Sequence, residues 1–485
     1  MQSILPYISA NIFVYFLAFL ALVLGLVLLW QLKKAHYIIY FLLIWYPFES
    51  LLLRFVPVEY VAYAKYLPEV LLYLLLLISW FGFVRREKKF IPDTPINPWL
   101  LAFLIISIIS LVLNWYSPWV WLLGLRQILR FMTVFFAIQC LDLDKDVIKK
   151  ILHLILSVFA IEIVLALIQY LTGGRLDSYL FPPPTADVGN TAGLGEVEQF
   201  WVPGSRVFAT FGRYDRLGSF LAFGLAMLFP WLYVIKDKVK KMWLAILFGA
   251  GVLALLLTMS RASWVGAFVG IFAIAWFVKK DKRLLKIAGV LAGILIVYLI
   301  GFAVVRDNVM SITDSRNQTL AERVFESFSL ASWQESYEGF GRIFFIINTP
   351  KVVVMSAPVF GVGPGNFGGG VVASLLNTRV YERLHLPFGI QNLYGQIDNS
   401  LFSLWAEFGT LGLICWLGIF VFLIQGLREN EFSIGIFGGI VAILIMGFFG
   451  PYYEFRPLMF YFWTLAGVAL VISHREPEGR GDPVK

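Results

Sequence analysis

The chain has 485 residues, of which 59% are hydrophobic and only 14% are charged. An ordinary soluble domain is about 45–50% apolar and about 25% charged. This composition therefore excludes a disordered chain, a disulfide-rich secreted domain and a typical soluble enzyme. Two cysteines in apolar runs and four scattered histidines predict no disulfide framework, no metal site and no cofactor.

Thirteen apolar segments are long enough to cross a bilayer, whose core requires about 20 mainly apolar residues per helix. They lie near residues 9–31, 38–55, 67–84, 97–115, 119–141, 150–171, 217–235, 242–259, 262–278, 285–305, 400–424, 432–449 and 456–473. The weakest two are 38–55, which contains Glu49 and Arg54, and 119–141, which contains Arg126 and Arg130. The first segment is long and follows no charged region, so we expect it to be a span and not a cleaved signal peptide. We expect an all-α polytopic membrane protein with about 13 transmembrane helices.

The basic residues set the orientation, because Lys and Arg accumulate in short cytoplasmic loops. When the thirteen segments are threaded in order, 22 of the 39 basic residues fall in alternate loops, whereas the opposite short loops hold only four. The N-terminus is therefore predicted outside and the C-terminus in the cytoplasm. The net charge of +8 is explained by topology, so we expect no nucleic-acid partner.

This threading divides the chain into five consecutive parts. They are transmembrane helices 1–6 (1–171), an external loop (172–216), helices 7–10 (217–305), a long external loop (306–399), and helices 11–13 with a cytoplasmic tail (400–485). The long loop between spans 10 and 11 has helical character at 318–356 and then a glycine-rich stretch. Long loops are uncommon unless they are functional, so we expect this one to cover an active site.

The remaining 13 basic residues lie on the outer side or in helices leading to it, and twelve of them are arginine. They are Arg126, Arg130, Arg175, Arg206, Arg213, Arg216, Arg306, Arg316, Arg323, Arg342, Lys351, Arg379 and Arg383. A guanidinium group holds phosphate or carboxylate through two parallel hydrogen bonds. This external arginine content indicates an anionic ligand on that side.

Four short motifs follow one another along the chain between residues 213 and 412. They are RYDRL (213–217), TMSRASWVGAF around Arg261, an arginine at 342 followed by Pro-x-x-Gly-x-Gly, and DNSLFSLWAEFGTLG (398–412). The last motif reads Asp398-Asn399, nine residues, Gly409, two residues, Gly412. In this order and on this topology the motifs resemble those of the O-antigen ligase and polymerase family, over about residues 120–475. Asp398 stands where the ligases carry histidine.

The resemblance implies a helical fold related to membrane glycosyltransferases of the C type, and a glycan donor linked to undecaprenyl pyrophosphate. Members transfer the glycan to an acceptor hydroxyl at the outer face of the bacterial inner membrane. Ligases use lipid A–core as the acceptor, whereas polymerases use another lipid-linked repeat unit. The expected partners are thus the lipid-linked glycan, an acceptor glycan or glycolipid, and membrane lipid.

The residue types agree with such chemistry. Departure of a pyrophosphate without a metal requires preorganised cations, and Arg213, Arg216, Arg261 and Arg342 are predicted near the outer interface. The acceptor hydroxyl needs a general base. Histidine is ordinarily a stronger base than aspartate. We nevertheless place Asp398 first because it holds the motif position, and His385 is the alternative. Simpler interpretations also stand: the arginines as helix anchors, Asp398 or Asn399 as a helix cap, and His385 as an ordinary loop residue.

Three charged residues inside predicted spans need partners. Arg126 and Arg130 lie one turn apart on one helix face, and we expect either a substrate anion or Glu162 to neutralise them. Glu407 is interpreted as the partner of a basic group. The glycines from 361 to 370 have no surrounding strand–loop–helix, so they predict tight turns and not a nucleotide site.

The leading hypothesis is a polymerase of lipid-linked glycans, because the ligase-type histidine is absent and Asp-Asn is common at that place in exopolysaccharide polymerases of the family. An O-antigen ligase is the alternative within the family. From another class, a transporter or flippase for an anionic solute stays open, although it would need charged groups near mid-bilayer and repeat symmetry.

Overall fold

The computed structural model describes residues 34–180, 205–283 and 330–475, together with residues 286 and 324. Every regular element within these ranges is a helix, and one isolated bridge joins Gly368 and Gln396. The α-helices longer than four residues are α1 (His36–Leu53), α2 (Val58–Glu87), α3 (Asn97–Asn114), α4 (Pro118–Leu129), α5 (Met132–Cys140), α6 (Lys145–Leu171), α7 (Tyr214–Leu228), α8 (Lys238–Leu257), α9 (Arg261–Ala273), α10 (Leu330–Glu338), α11 (Arg342–Asn348), α12 (Gly370–Leu375), α13 (Arg379–Arg383), α14 (Ser400–Gly426), α15 (Glu431–Gly447) and α16 (Arg456–Arg475).

The described ranges are those of a helical polytopic membrane protein. Nine helical segments there are long and apolar enough to cross a membrane, and α4 with α5 forms a tenth candidate that is bent by 66°. The apolar helix α15 is shorter, with 17 residues. Each predicted span that falls on described residues coincides with a helix or a helix pair. The predicted spans 9–31 and 285–305 lie outside the described residues, so the count of thirteen and the orientation stay predictions.

The helix ends fall into two groups. At one end, Arg86 donates a hydrogen bond from Nη2 to the carbonyl oxygen of Cys140 at 3.3 Å; this end carries the basic clusters, and we call it the basic end. At the other end, Ser50 donates from Oγ to the carbonyl oxygen of Phe211 at 3.1 Å. The sequence motifs lie here, so we call it the motif end.

Helix α16 lies at the centre of the bundle and packs against α1, α5, α7, α14 and α15. Its side chains Phe460, Phe462 and Trp463 are fully buried, which explains why this helix is apolar on every face. The short 3-10 turn Tyr452–Glu454 directly precedes it. Arg456 and this turn therefore stand in the middle of the motif end.

Helix α14 is interrupted at Gly409, and the glycine-rich segment 358–363 enters the gap. In an unbroken helix the carbonyl oxygens of residues 406 and 407 would accept the N–H groups of residues 410 and 411. Here they accept those of residues 362 and 363, both at 2.9 Å, while the N–H groups of 410 and 411 donate to the carbonyl oxygens of 358 and 359 at 3.0 and 3.3 Å. The break leaves these four backbone groups satisfied, as membrane depth requires.

Glycine is required at the two positions where the segments cross. Gly409 has φ 70° and ψ −175°, a region that side-chain-bearing residues rarely adopt. A Cβ on Gly409 would lie 2.3 Å from the carbonyl oxygen of Val359, and a Cβ on Gly361 would lie 2.3 Å from that of Glu407. The sequence predicted tight turns for 361–370, but not their insertion into a helix.

Candidate active site

Asp398 lies immediately before the cap of α14. The cap is Asn399, whose Oδ1 accepts the N–H of Phe402 at 3.0 Å. The Asp398 carboxylate is therefore available for another partner, and its Oδ2 accepts a hydrogen bond from Nη2 of Arg342 at 3.2 Å. The Asp398 and Arg342 side chains are 40% and 35% exposed, so both can contact a substrate.

Two groups beside this pair are buried and have no hydrogen-bond partner among the described residues. They are Nε of Arg342 and Nδ2 of Asn399, and the Asn399 side chain is almost fully buried. Arg342 is the first residue of α11, so the segment between α9 and α14 supplies the cation while α14 supplies the carboxylate.

Ser400 ties the start of α14 to the turn before α16. Its Oγ donates to the carbonyl oxygen of Gly450 at 3.0 Å and accepts the N–H of Tyr453 at 3.2 Å. This contact holds the neighbouring residue Tyr452 next to the Asp398 region.

Tyr452 connects the motif residues of three different segments. Its side chain is 3% exposed, its hydroxyl lies close enough to Ser260 and Ser263 to interact with them, and Asp215 and Arg342 lie within electrostatic range. Burial is the main reason why the pKa of Tyr452 lies above its ordinary value. The phenol therefore stays protonated and acts as a neutral hydrogen-bonding centre of the site.

Arg213 and Arg216 flank Asp215 at the head of α7, and the acid pairs with the first of them. Arg213 donates from Nε and Nη2 to the two oxygens of Asp215 at 3.1 and 3.0 Å. Arg216 places its guanidinium 5.9 Å from the ring centre of Phe455. Both arginines thus stand beside the turn that carries Tyr452.

Arg261 is the first residue of α9 and directly follows Ser260. Ser260 and Ser263 are 2.8 Å apart at their hydroxyl oxygens, and both lie close enough to Tyr452 to interact with it. The helix starts that carry Arg213, Arg261, Arg342 and Asp398 accordingly converge around one tyrosine, although these residues are up to 185 positions apart in the chain.

Arg126 and Arg130 lie on the other side of this region and share a carboxylate that the sequence interpretation had not paired with them. Arg126 donates from Nε and Nη2 to the two oxygens of Glu69 on α2, both at 2.5 Å, and Nη1 of Arg130 is 3.9 Å from Glu69. Glu162, the partner considered from the sequence, instead accepts hydrogen bonds from the hydroxyl and the N–H of Thr210. The expected Glu162 pairing is wrong because that side chain faces residues 205–211.

Glu454 joins α4 to the glycine-rich loop. Its carboxylate accepts hydrogen bonds from Nε2 of Gln127 at 2.8 Å and from the N–H of Gly370 at 3.1 Å, while its carbonyl oxygen accepts Nη2 of Arg130 at 3.1 Å. Burial raises the pKa of Glu454 to about 7. This carboxyl group therefore titrates near neutral pH.

Arg456, at the start of α16, forms an ion pair with Glu49 of α1 at 2.6 Å and donates to the carbonyl oxygen of Lys65 at 2.9 Å. These contacts join α1, α2 and α16 at the motif end. Glu49, in the predicted span 38–55, thus neutralises Arg456 of α16. Glu69 of α2 likewise neutralises Arg126 of α4.

His385 lies in an exposed turn after α13, with a left-handed backbone conformation of φ 52°. Among the described residues its ring has no hydrogen bond or ion pair. Asp398, in contrast, contacts a motif arginine. This difference favours Asp398 over His385 as the base and leaves the choice a proposal.

Glu407 has a different role from the one expected. Its Oε1 accepts the N–H groups of Gly365 at 2.8 Å and Phe367 at 3.1 Å. It therefore holds the inserted loop, and within the described ranges it pairs with no basic side chain. The motif glycine Gly412 lies just beyond the break, where a Cβ would be 2.3 Å from that of Phe408.

An open groove of about 630 Å³ lies elsewhere on the motif end. Its lining is Val120, Leu375, Leu376, Asn377, Thr378, Arg379, Glu382 and Arg383. Neither Asp398 nor Arg342 belongs to it, so the groove is not the place where those two groups would act. Within the described ranges, no three His, Cys, Asp or Glu side chains converge as metal ligands would.

Residues 244–417 match the family described as O-Antigen ligase. This part of the chain is similar to the O-antigen ligase and polymerase family. The matched segment, a little over a third of the chain, contains Arg261, Arg342, Asp398 and the motif glycines Gly409 and Gly412, but not the arginines of α4 and α7. No curated protein matches the chain. This match supports a membrane enzyme that acts in O-antigen assembly.

Sequence reasoning missed Glu69, Tyr452 and Glu454. Glu69 carried a usable signal, because an acid in an apolar span needs a partner. Tyr452 and Glu454 carried none, since they lie in a short turn that resembles an ordinary interfacial connection.

Proposed function

We propose that this protein is a glycosyltransferase that moves an undecaprenyl-pyrophosphate-linked glycan onto a sugar hydroxyl. The motif end would face the outside of the bacterial inner membrane, in agreement with the basic clusters at the opposite end. No metal is required by the proposed step. The family match and the convergence of arginines around a carboxylate support this proposal.

The observation that carries it is the 3.2 Å contact between Arg342 and Asp398. A transfer reaction needs a cation for the departing diphosphate and a base for the attacking hydroxyl. The two groups must lie close enough to contact the same bound substrate. This pair supplies both groups on flexible, partly exposed side chains. Arg216 lies at Phe455 near Tyr452, and Arg213 and Arg261 lie at the helix starts whose residues Asp215 and Ser260 interact with that tyrosine. Together they would supply positive charge for a diphosphate.

In the proposed step, the acceptor hydroxyl oxygen forms a bond with the anomeric carbon of the donor sugar. The bond between that carbon and the pyrophosphate oxygen breaks, and its electron pair leaves with undecaprenyl pyrophosphate. The hydroxyl proton passes to the Asp398 carboxylate as general base. Arg342 moves from its contact with Asp398 to the leaving oxygen, so each group is released for its task when substrate binds.

Arg126 and Arg130 take a secondary part in this proposal. Their charge is partly neutralised by Glu69, so they extend the cationic region and do not form its centre. His385 is the reserve candidate for the base.

Within the family we favour a polymerase over a ligase, because Asp398 replaces the ligase-type histidine. The alternative is an O-antigen ligase with lipid A–core as acceptor. The two differ in the product that accumulates when the gene is deleted: single repeats on the surface indicate a polymerase, and lipid-linked polymer indicates a ligase.

The experiment compares glycan profiles of a deletion strain that carries wild-type protein, Asp398→Asn or Asp398→Ala. Both variants are expected to abolish chain formation at normal protein level. Asp93→Asn, at an exposed carboxylate of the basic end that pairs with Lys89, is the matched control and should restore wild-type glycan. Persistence of long glycan with Asp398→Ala would remove Asp398 as the base, and His385→Ala would then be the decisive variant.

A further inference from the structure

Lys65 is a cation of the motif end that belongs to none of the sequence motifs. It lies two turns into α2, about 10 Å from the helix start, and is partly buried. The backbone carbonyl oxygen of Lys65 accepts a hydrogen bond from Arg456, which fixes this turn of α2 against the start of α16.

Three carboxylates of the motif end are already engaged. Glu49 pairs with Arg456, Glu69 pairs with Arg126, and Asp215 pairs with Arg213. Among the residues that the structure describes, the Lys65 ammonium has neither an ion pair nor a hydrogen bond. A partly buried ammonium without an anion is unfavourable unless a ligand supplies one.

The other charges around Lys65 make this imbalance larger. Arg130, Arg216, Arg456 and Glu49 all lie within electrostatic range of its ammonium, and Glu49 is already paired with Arg456. This group of cations favours a multiply charged anion in its midst. Arg216 connects this group to the Asp398 region, because it adjoins Asp215 and the Phe455 ring next to Tyr452.

A helix anchor would be the simpler role, since lysines at membrane interfaces extend toward water and lipid headgroups. Lys65 does not have the surroundings of an anchor: three arginines and Glu49 of other elements lie within electrostatic range of it, whereas an anchoring lysine extends away from the protein. The ammonium is a compact charge that suits one phosphate oxygen, while arginine suits two at once.

We propose that Lys65 binds the diphosphate of the lipid-linked substrate, with Arg216 between it and the reacting end of the site. This inference rests on the proposed function, because the diphosphate is that of the glycan donor. It adds to the site a residue from α2, outside the segment that matches the family. The chemical class of the ligand is a diphosphate ester of a polyprenol.

The test is a binding measurement with purified full-length protein in detergent, and farnesyl diphosphate is the probe. We compare wild type with Lys65→Met, Lys65→Arg and Asp398→Asn, and we use Lys145→Met, an exposed lysine of the basic end, as the matched control. Lys65→Met should weaken binding by about tenfold or more, as expected for loss of one charge-assisted contact. Lys65→Arg and Lys145→Met should stay within about threefold of wild type.

Three outcomes would overturn the inference. They are wild-type affinity in Lys65→Met, no binding to the wild-type protein, and equally strong displacement of the probe by phosphatidylglycerol, which would make the site a headgroup site. Size-exclusion profiles and unfolding temperatures without ligand verify that the variants are folded. Asp398→Asn separates this inference from the proposed function: it should bind the probe normally while failing in glycan transfer. Normal transfer by Asp398→Asn would remove the proposed base but leave the Lys65 result standing.

Discussion

The crossing of Gly409 and the segment 358–363 gives the sharpest test of the fold. We consider Gly409→Ala, which adds one methyl group at the break in α14. The backbone there has φ 70° and ψ −175°, and holding an alanine in such a region costs about 1–3 kcal/mol. The added Cβ would also lie 2.3 Å from the carbonyl oxygen of Val359 and 2.5 Å from the N atom of Gly361. Because these are backbone atoms, they cannot rotate away, and forced overpacking costs about another 1–3 kcal/mol.

The combined loss is about 2–6 kcal/mol, a large fraction of the roughly 5–15 kcal/mol that stabilises a folded protein. The assay is thermal unfolding of purified protein in detergent, and the unfolding temperature should fall by about 2–6 °C, because the unfolding entropy of a chain of this length is roughly 1 kcal/mol/K. Gly249→Ala is the matched control, because Gly249 lies inside α8 with no atom within 4 Å of a built Cβ. That variant should unfold at or slightly above the wild-type temperature, since alanine favours helix by about 0.5–1 kcal/mol.

An unfolding temperature of Gly409→Ala equal to that of Gly249→Ala would refute this reasoning. It would mean that α14 closes into a continuous helix without loss, and that the loop insertion contributes nothing to stability.

The remaining predictions concern charges of the motif end. Glu69→Gln leaves Arg126 and Arg130 without their shared carboxylate, so we expect the free energy of unfolding to fall by about 3–5 kcal/mol. The double variant Glu69→Gln with Arg126→Gln should recover part of this loss. A free energy of unfolding that is unchanged in Glu69→Gln would contradict the pairing. Glu454 has a pKa raised from 4.5 to about 7, so the folded state binds more protons between these values and stability should fall as pH rises from about 4.5 to about 7. Glu454→Gln should remove that fall, which the difference between the two unfolding-temperature profiles will show; parallel profiles would exclude Glu454 as its source. Arg342→Lys keeps the charge but loses the planar fork, and glycan transfer assayed in membranes should drop about tenfold; wild-type turnover would make Arg342 a simple anchor.

Much of the membrane architecture can be predicted from the sequence, because a long apolar segment in lipid satisfies its backbone groups by forming a helix. All eleven predicted spans on described residues coincide with helices, including the bent pair around Arg126 and Arg130. The bend itself was not predicted, and neither was the break at Gly409. Both depend on atoms that another segment supplies, and periodicity within one segment carries no information about such a partner.

The candidate site, like the fold, was predicted only in part. The motifs named Arg213, Arg342 and Asp398 individually, and the contact between the last two is a result of the fold. The partners of Arg126 and of Glu407 were misassigned for two different reasons. Glu69 is 57 positions from Arg126, so no helical spacing links them. Glu407 is satisfied by backbone N–H groups, which every residue type offers and which therefore leave no trace in the sequence.

The broken helix also has a consequence for how the chain is assembled. The segment 358–363 is synthesised before α14, but it can enter the gap only when both have emerged and met. Until then, the N–H groups of Thr410 and Leu411 have no partner except the preceding turn of their own helix, because lipid offers none. The break at Gly409 is therefore a tertiary feature: it is favourable only when the segment 358–363 is in place to bond with the four exposed backbone groups of α14.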